Sequence, residues 1–151
     1  MEPAEDINFE SVENLILCKC GYNSLELSQI SKMFPNLLQL NVSSNKLESL
    51  DSSHFIPSKL TFLDLSLNNL KSWKSVVNLI RNCNQLVELN LTNCGLTDLL
   101  AEEPVLPSLK ILIASRNPIS DLATFNSLNL TGKSKINSIF PTNTFYRRER
   151  Q

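Results

Sequence analysis

The sequence predicts an α/β solenoid. About five short repeats stack into a right-handed horseshoe, with a parallel sheet on the concave side and helical or irregular returns on the convex side. Three observations predict it. The 151 residues hold 27 Leu and 18 Asn, but only 3 Gly and 1 His. Apolar residues recur in Leu-x-Leu pairs, the period of a strand with one buried face. An Asn or Cys follows each pair at a constant offset, at positions 20, 45, 68, 94 and 117, in steps of 25, 23, 26 and 23 residues.

The repeats fit L-x-x-L-x-L-x-x-(N/C)-x-L. Leu37, Leu40, Val42, Asn45 and Leu47 fit it, as do Leu60, Leu63, Leu65, Asn68 and Leu70. Leu86, Leu89, Leu91, Cys94 and Leu96 form another copy. Leu109, Leu112, Ala114, Asn117 and Ile119 follow, with Ala in one Leu slot. A weaker first copy runs through Val12, Leu15, Leu17, Cys20 and Tyr22. This is the leucine-rich repeat pattern. One short strand per repeat cannot bury its apolar side alone, so the repeats must stack. After each strand the chain turns inward and buries backbone polar groups. An Asn amide both donates to and accepts from them, and a Cys thiol does so more weakly. The column Cys20, Asn45, Asn68, Cys94 and Asn117 is therefore expected to be structural.

The returns differ in kind. In KSWKSVVNLIRNCNQ, Ser72 is placed to cap a helix, and Trp73, Val76, Val77 and Ile80 recur at helical spacing. Cys83 is expected at the end of that helix. LELSQISKMF, Leu25 to Phe34, reads as a second helix stopped by Pro35. SSHFIPS (52–58) is too polar and broken for a long helix, and AEEPVLPS (101–108), with two prolines, reads as loop or 3₁₀ turn. Residues 1–11 read as an N-terminal cap or a disordered segment, 12–125 as the repeat domain and 126–151 as a partial cap or tail. ATFNSLN (123–129) offers one last short helix, and the end after it has no repeat register.

Composition excludes several functions. A net charge of -1 gives no footprint for nucleic acid or anionic lipid. No apolar run is long enough to span a membrane. MEPAEDINFES is acidic and lacks the basic and apolar regions of a secretory signal. Cys18, Cys20, Cys83 and Cys94 are not spaced as a disulfide framework, so the chain is expected in the cytoplasm. There the Asn-x-Ser/Thr triplets at Asn41, Asn90 and Asn129 have no glycosylation role. Cys18-x-Cys20 has no second pair at finger spacing, so no metal site is expected. His54 lacks an acid or thiol partner, and Glu102-Glu103 lies in a proline-bounded loop. Nothing supports acid–base catalysis, and no cofactor is expected.

Function is expected on the outward strand positions, which have no core duty. Strand period assigns Asn14, Ile16 and Cys18 to it, then Gln39, Asn41 and Ser43, then Phe62, Asp64 and Ser66. Glu88, Asn90 and Thr92 follow, then Ile111, Ile113 and Ser115. Leu67 and Arg116 occupy the slot just before the Asn column. Asp64 and Glu88 make a mildly acidic centre. Apolar side chains at outward positions, rimmed by polar ones, mark a surface for a protein partner.

Two stretches narrow the comparison: LTFLDLSLNNLKSWKSVVNLIRNCNQLVELNLTNCGL and LPSLKILIASRNPISDLATFNSLN. The Asn-Leu-x-x-Trp join, and Ile-Ser-Asp-Leu-x-x-Phe-Asn after Arg-Asn-Pro, resemble the repeat domain of the tubulin-folding cofactor E family. MFPNLLQLNVSSNKL (33–47) has the same character. The resemblance implies a non-enzymatic chaperone that binds α-tubulin and takes part in assembling the tubulin dimer, associated with the cytoskeleton. Full-length members add a Gly-rich module and a ubiquitin-like domain, neither of which is in this chain. A fragment, a short isoform and a divergent member are the readings left open. The chain is expected to be a monomer. The competing reading is another intracellular leucine-rich scaffold: a phosphatase regulator, a splicing subunit or an axonemal adaptor.

Overall fold

The structure, a computed structural model, describes residues 7–48, 53, 56–99, 106–119 and 138–140. His54, Glu102, Glu103, the 123–129 segment and the tail after Phe140 lie outside them. Strands β1 (Asn14–Ile16), β2 (Gln39–Asn41), β3 (Phe62–Asp64), β4 (Glu88–Asn90), β5 (Ile111–Ile113) and β6 (Ser138–Phe140) form one sheet in chain order. Every neighbouring pair is parallel. The register aligns Leu15, Leu40, Leu63, Leu89, Leu112 and Ile139, the middle residues of the six strands. From Leu15 to Leu112 the repeat spacing thus becomes one continuous apolar row.

The sixth strand falls within 126–151, the segment read from the sequence as a partial cap or tail, whose part after ATFNSLN shows no repeat register. Ser138–Phe140 pairs with β5 in the same register as the earlier strands. A parallel ladder is built from backbone groups, so it extends without the Leu-x-Leu signature that reveals the other five.

Among the described residues two helices carry returns. Helix α2 (Trp73–Ile80) begins where Ser72 accepts from the backbone N–H of Ser75 at 3.3 Å. It buries Trp73, Val76, Val77, Leu79 and Ile80. It stops before Cys83, whose N–H bonds back to Ile80 O in the turn that follows. Cys83 therefore does not end the helix as expected. Helix α1 spans Ser24–Ser31, not Leu25–Phe34. Its start is fixed by a capping box. Asn23 accepts from Glu26 N–H, and Glu26 accepts from Asn23 N–H, each at 2.9 Å. Near its end Met33 N–H and Phe34 N–H bond to Ile30 O and Ser31 O, tightening the chain ahead of Pro35.

Leucines from the sheet and apolar residues from the returns share one buried core, from Leu27 to Ile119. The first repeat is covered less well: Val12, Leu15 and Leu17 are only partly buried. Phe9 stacks on Phe34 beside it, with ring centroids 5.1 Å apart.

The Asn/Cys column ties the stack together. Asn68 donates to Val42 O (3.1 Å), Leu65 O (2.9 Å) and Ser66 O (3.2 Å), and its oxygen accepts from Leu47 N–H (3.1 Å). Asn117 donates to Leu91 O, Ala114 O and Ser115 O and accepts from Cys94 N–H and Leu96 N–H. Asn45 repeats the pattern against Leu17, Val42, Ser43, Cys20 and Tyr22. Each amide thus closes its own turn and the one before. Cys94 substitutes for it, donating to Leu65 O at 3.2 Å. Burial pushes this thiol up to about 11, with the Asn68 N–H pulling down and Asp64 adding upward. It therefore stays a neutral donor at neutral pH.

Cys20 departs from the expectation of a structural column residue. Its side chain is exposed and reaches only Cys18 O, two residues back, at 3.5 Å. Among the described residues no earlier strand-ending repeat turn precedes it for the thiol to bridge. Asn68→Ala should lower unfolding stability by about 1–3 kcal/mol in urea, because buried N–H and C=O groups lose their partner. Asn69→Ala, on the exposed neighbour, should leave the urea midpoint close to wild type. Equal midpoints for both variants would contradict the role given to the column.

Candidate protein-binding site

Strand alternation turns every second residue away from the core. The register places the expected site residues in two rows. The first is Asn14, Gln39, Phe62, Glu88 and Ile111, and the second is Ile16, Asn41, Asp64, Asn90 and Ile113. Ile16 is 63% exposed and Gln39 is exposed. Phe62, Asp64, Glu88, Asn90, Ile111, Ile113 and Asn41 are half-buried. The structure therefore brings all nine onto one face.

The second row has a local duty that the sequence reading missed. Asn41 accepts from Ser43 N–H at 3.0 Å, Asp64 from Ser66 N–H at 2.9 Å, and Asn90 from Thr92 N–H at 3.0 Å. Thr92 Oγ1 also donates to Asn90 at 2.8 Å. These are Asx bonds that fix the end of each strand. Their signal is legible as Asn/Asp-x-Ser/Thr at 41–43, 64–66 and 90–92. Asn41 and Asn90 are thus turn-forming residues as well as surface ones. Ile16 and Ile113 have no side-chain acceptor and cannot do the same.

The slot before the Asn/Cys column carries a backbone constraint. Lys19, Ser44, Leu67, Asn93 and Arg116 all have φ between 53° and 57°, in the left-handed region. The turn needs that conformation to aim the next side chain into the stack. It also points each N–H at the following repeat: Lys19 to Ser43 O, Ser44 to Ser66 O, Leu67 to Thr92 O, and Asn93 to Ser115 O. Four of these residues are polar. Leu67 is the apolar one, and it is 49% exposed. A leucine here accepts left-handed strain, on the order of 1–2 kcal/mol, without burying its side chain.

Electrostatically, the centre of the face is acidic. Asp64 spends one oxygen on Ser66, and its other takes a 3.4 Å contact from Asn90 Nδ2. Among the described residues the Glu88 carboxylate has no hydrogen bond or ion pair. Also among them, no group of three or more His, Cys, Asp and Glu could hold a metal ion. No helix there is long and apolar enough to cross a membrane.

Parallel register, column amides and an outward face with no core duty define a leucine-rich repeat protein-binding scaffold. The chain is similar in sequence to tubulin-specific chaperone E. The mouse protein of that name is 27% identical over 128 residues, covering 80% of this chain and 24% of its own length. The chain therefore spans about a quarter of that curated relative. An internalin from Listeria monocytogenes has a similar fold, with a TM-score of 0.51 and 22% identity, covering 75% of this chain and 31% of the internalin. No protein-family model matches the chain.

Leu67→Asn should raise unfolding stability by about 1 kcal/mol, because Asn tolerates the left-handed region and little packing is lost. Thermal melts of the two proteins measure this. A variant that melts lower than wild type would mean that the Leu67 side chain packs in the free protein.

Proposed function

We propose that the chain is a non-enzymatic binding module that takes α-tubulin as its partner on the concave face. It acts in the cytoplasm in tubulin folding and dimer assembly. The observation that carries this reading is the similarity to tubulin-specific chaperone E, which runs through the repeats themselves and covers 80% of this chain. The candidate surface is Ile16, Gln39, Asn41, Phe62, Asp64, Leu67, Glu88, Asn90, Ile111, Ile113 and Arg116. Its apolar members sit among polar neighbours, the composition of a surface that desolvates a partner.

The test is capture from cytosolic extract with the full chain as bait, probed for α-tubulin. Phe62→Ala combined with Glu88→Ala removes an aromatic and a charge from the outward row without touching the core row. Enrichment of α-tubulin by wild type, lost in the folded double variant, is the expected result. Enrichment that survives the double variant would move the site off this face. Enrichment of a different protein, without tubulin, would favour another leucine-rich scaffold.

A further inference from the structure

The chemistry of the partner segment is readable from the middle of the concave face. Phe62 and Asp64 lie two residues apart on β3, and register places Glu88 beside Phe62 and Asn90 beside Asp64 on β4. Parallel-strand geometry makes this a quadrilateral of about 4.8 Å by about 6.6 Å. The two carboxylates occupy one diagonal, with the aromatic ring and the amide on the other. Ile111 flanks Glu88 on its far side. The row therefore reads aromatic, acid, aliphatic.

Three features of this arrangement favour a cation. Asp64 has its Oδ1 committed to Ser66 N–H, so its Oδ2 is held in a fixed position with only the long Asn90 contact. Glu88 is half-buried between apolar neighbours and has no counter-charge among the described residues. The Phe62 ring supplies a negative π-face at the same place. A carboxylate that is partly desolvated and unpaired gains more from an opposite charge than one in open solvent. The basic members of the left-handed row, Lys19 and Arg116, sit in the repeats of β1 and β5, not in the β3 and β4 repeats that carry Asp64 and Glu88. Leu67 stands just past Asp64, exposed and strained, an apolar contact next to the acidic one.

We propose that the concave face takes a protein segment carrying an arginine seated between Phe62, Asp64 and Glu88, with an apolar side chain beside it on Leu67. This rests on the reading of the concave face as the binding surface. Arginine suits the place better than lysine. Its planar guanidinium stacks on an aromatic ring while its fork reaches two carboxylates. An acidic segment is disfavoured at the same place by like charge.

Selection of a displayed random peptide library on the immobilised full chain tests this, followed by fluorescence anisotropy of the enriched peptides. Asp64→Asn keeps the acceptor for Ser66 N–H, and Glu88→Gln keeps side-chain shape, so both variants should fold. The enriched peptides should carry Arg next to a large aliphatic residue. Each should lose affinity about tenfold on changing that Arg to Gln, and by a similar factor against Asp64→Asn or Glu88→Gln. Binding should also weaken as salt rises from about 0.05 M to about 0.5 M. Peptides lacking a basic residue, sensitive to Phe62→Ala but not to Glu88→Gln, would overturn the arginine inference and leave the concave face standing. Peptides insensitive to all three variants would overturn both. Failure to enrich any peptide would overturn the inference, leaving the concave face to the tubulin capture.

Discussion

Everything in this molecule depends on satisfying backbone polar groups in the turn that follows each strand. A three-residue strand is too short to persist alone, and its turn buries N–H and C=O groups that water cannot reach. One side chain with two donors and an acceptor meets that demand in two adjacent repeats at once. Asn45, Asn68 and Asn117 each bond both to their own turn and to the preceding one. Stacking thereby becomes a hydrogen-bonding necessity as well as a hydrophobic gain.

That constraint frees the opposite side of the strands. With the leucines held inward and the turns closed by the column, the outward row needs no core residues. The Asx bonds of Asn41, Asp64 and Asn90 then hold the strand ends without recruiting the core. The result is a surface whose backbone is fixed before any partner arrives, and a preorganised surface loses less entropy on binding. Leu67 is the position where local stability and exposure pull apart. The turn would accept a polar residue or glycine more readily, yet a large apolar side chain stands there in the solvent.

Much of this was legible in the sequence because the repeat makes each residue type answer to one demand. Leu40, Leu63, Leu89 and Leu112 announce the core row by period two. The Asn/Cys spacing announces the register, and Ser72 with Trp73, Val76, Val77 and Ile80 announces α2. The less legible parts obey local rules that the repeat template does not encode. The capping box of Asn23 and Glu26 moves the start of α1 to Ser24. The left-handed slot before the column is a backbone requirement, and Lys, Ser, Leu, Asn and Arg all fill it. Cys20 matches the column by spacing but, among the described residues, has no preceding repeat turn to bridge. Strand β6 joins the sheet through backbone pairing, with no Leu-x-Leu pair to mark it. For the candidate site, strand period groups the outward residues of β1 to β5 in two rows, but it also assigns Ser66 outward, and the structure buries that side chain after the strand ends. Nor could strand period show that three of the outward residues also close turns.

The central claim is that column amides, not leucine packing alone, hold the turns closed. Native-state hydrogen exchange resolved by residue measures this directly. The N–H groups of Leu47, Cys94 and Leu96, which donate to column oxygens, should exchange only on global unfolding. Cys20 N–H, which donates to Asn45 at the exposed first repeat, should exchange faster. Rapid exchange at Leu47, Cys94 and Leu96 in the folded protein would contradict the account, because the turns would then open without the stack coming apart.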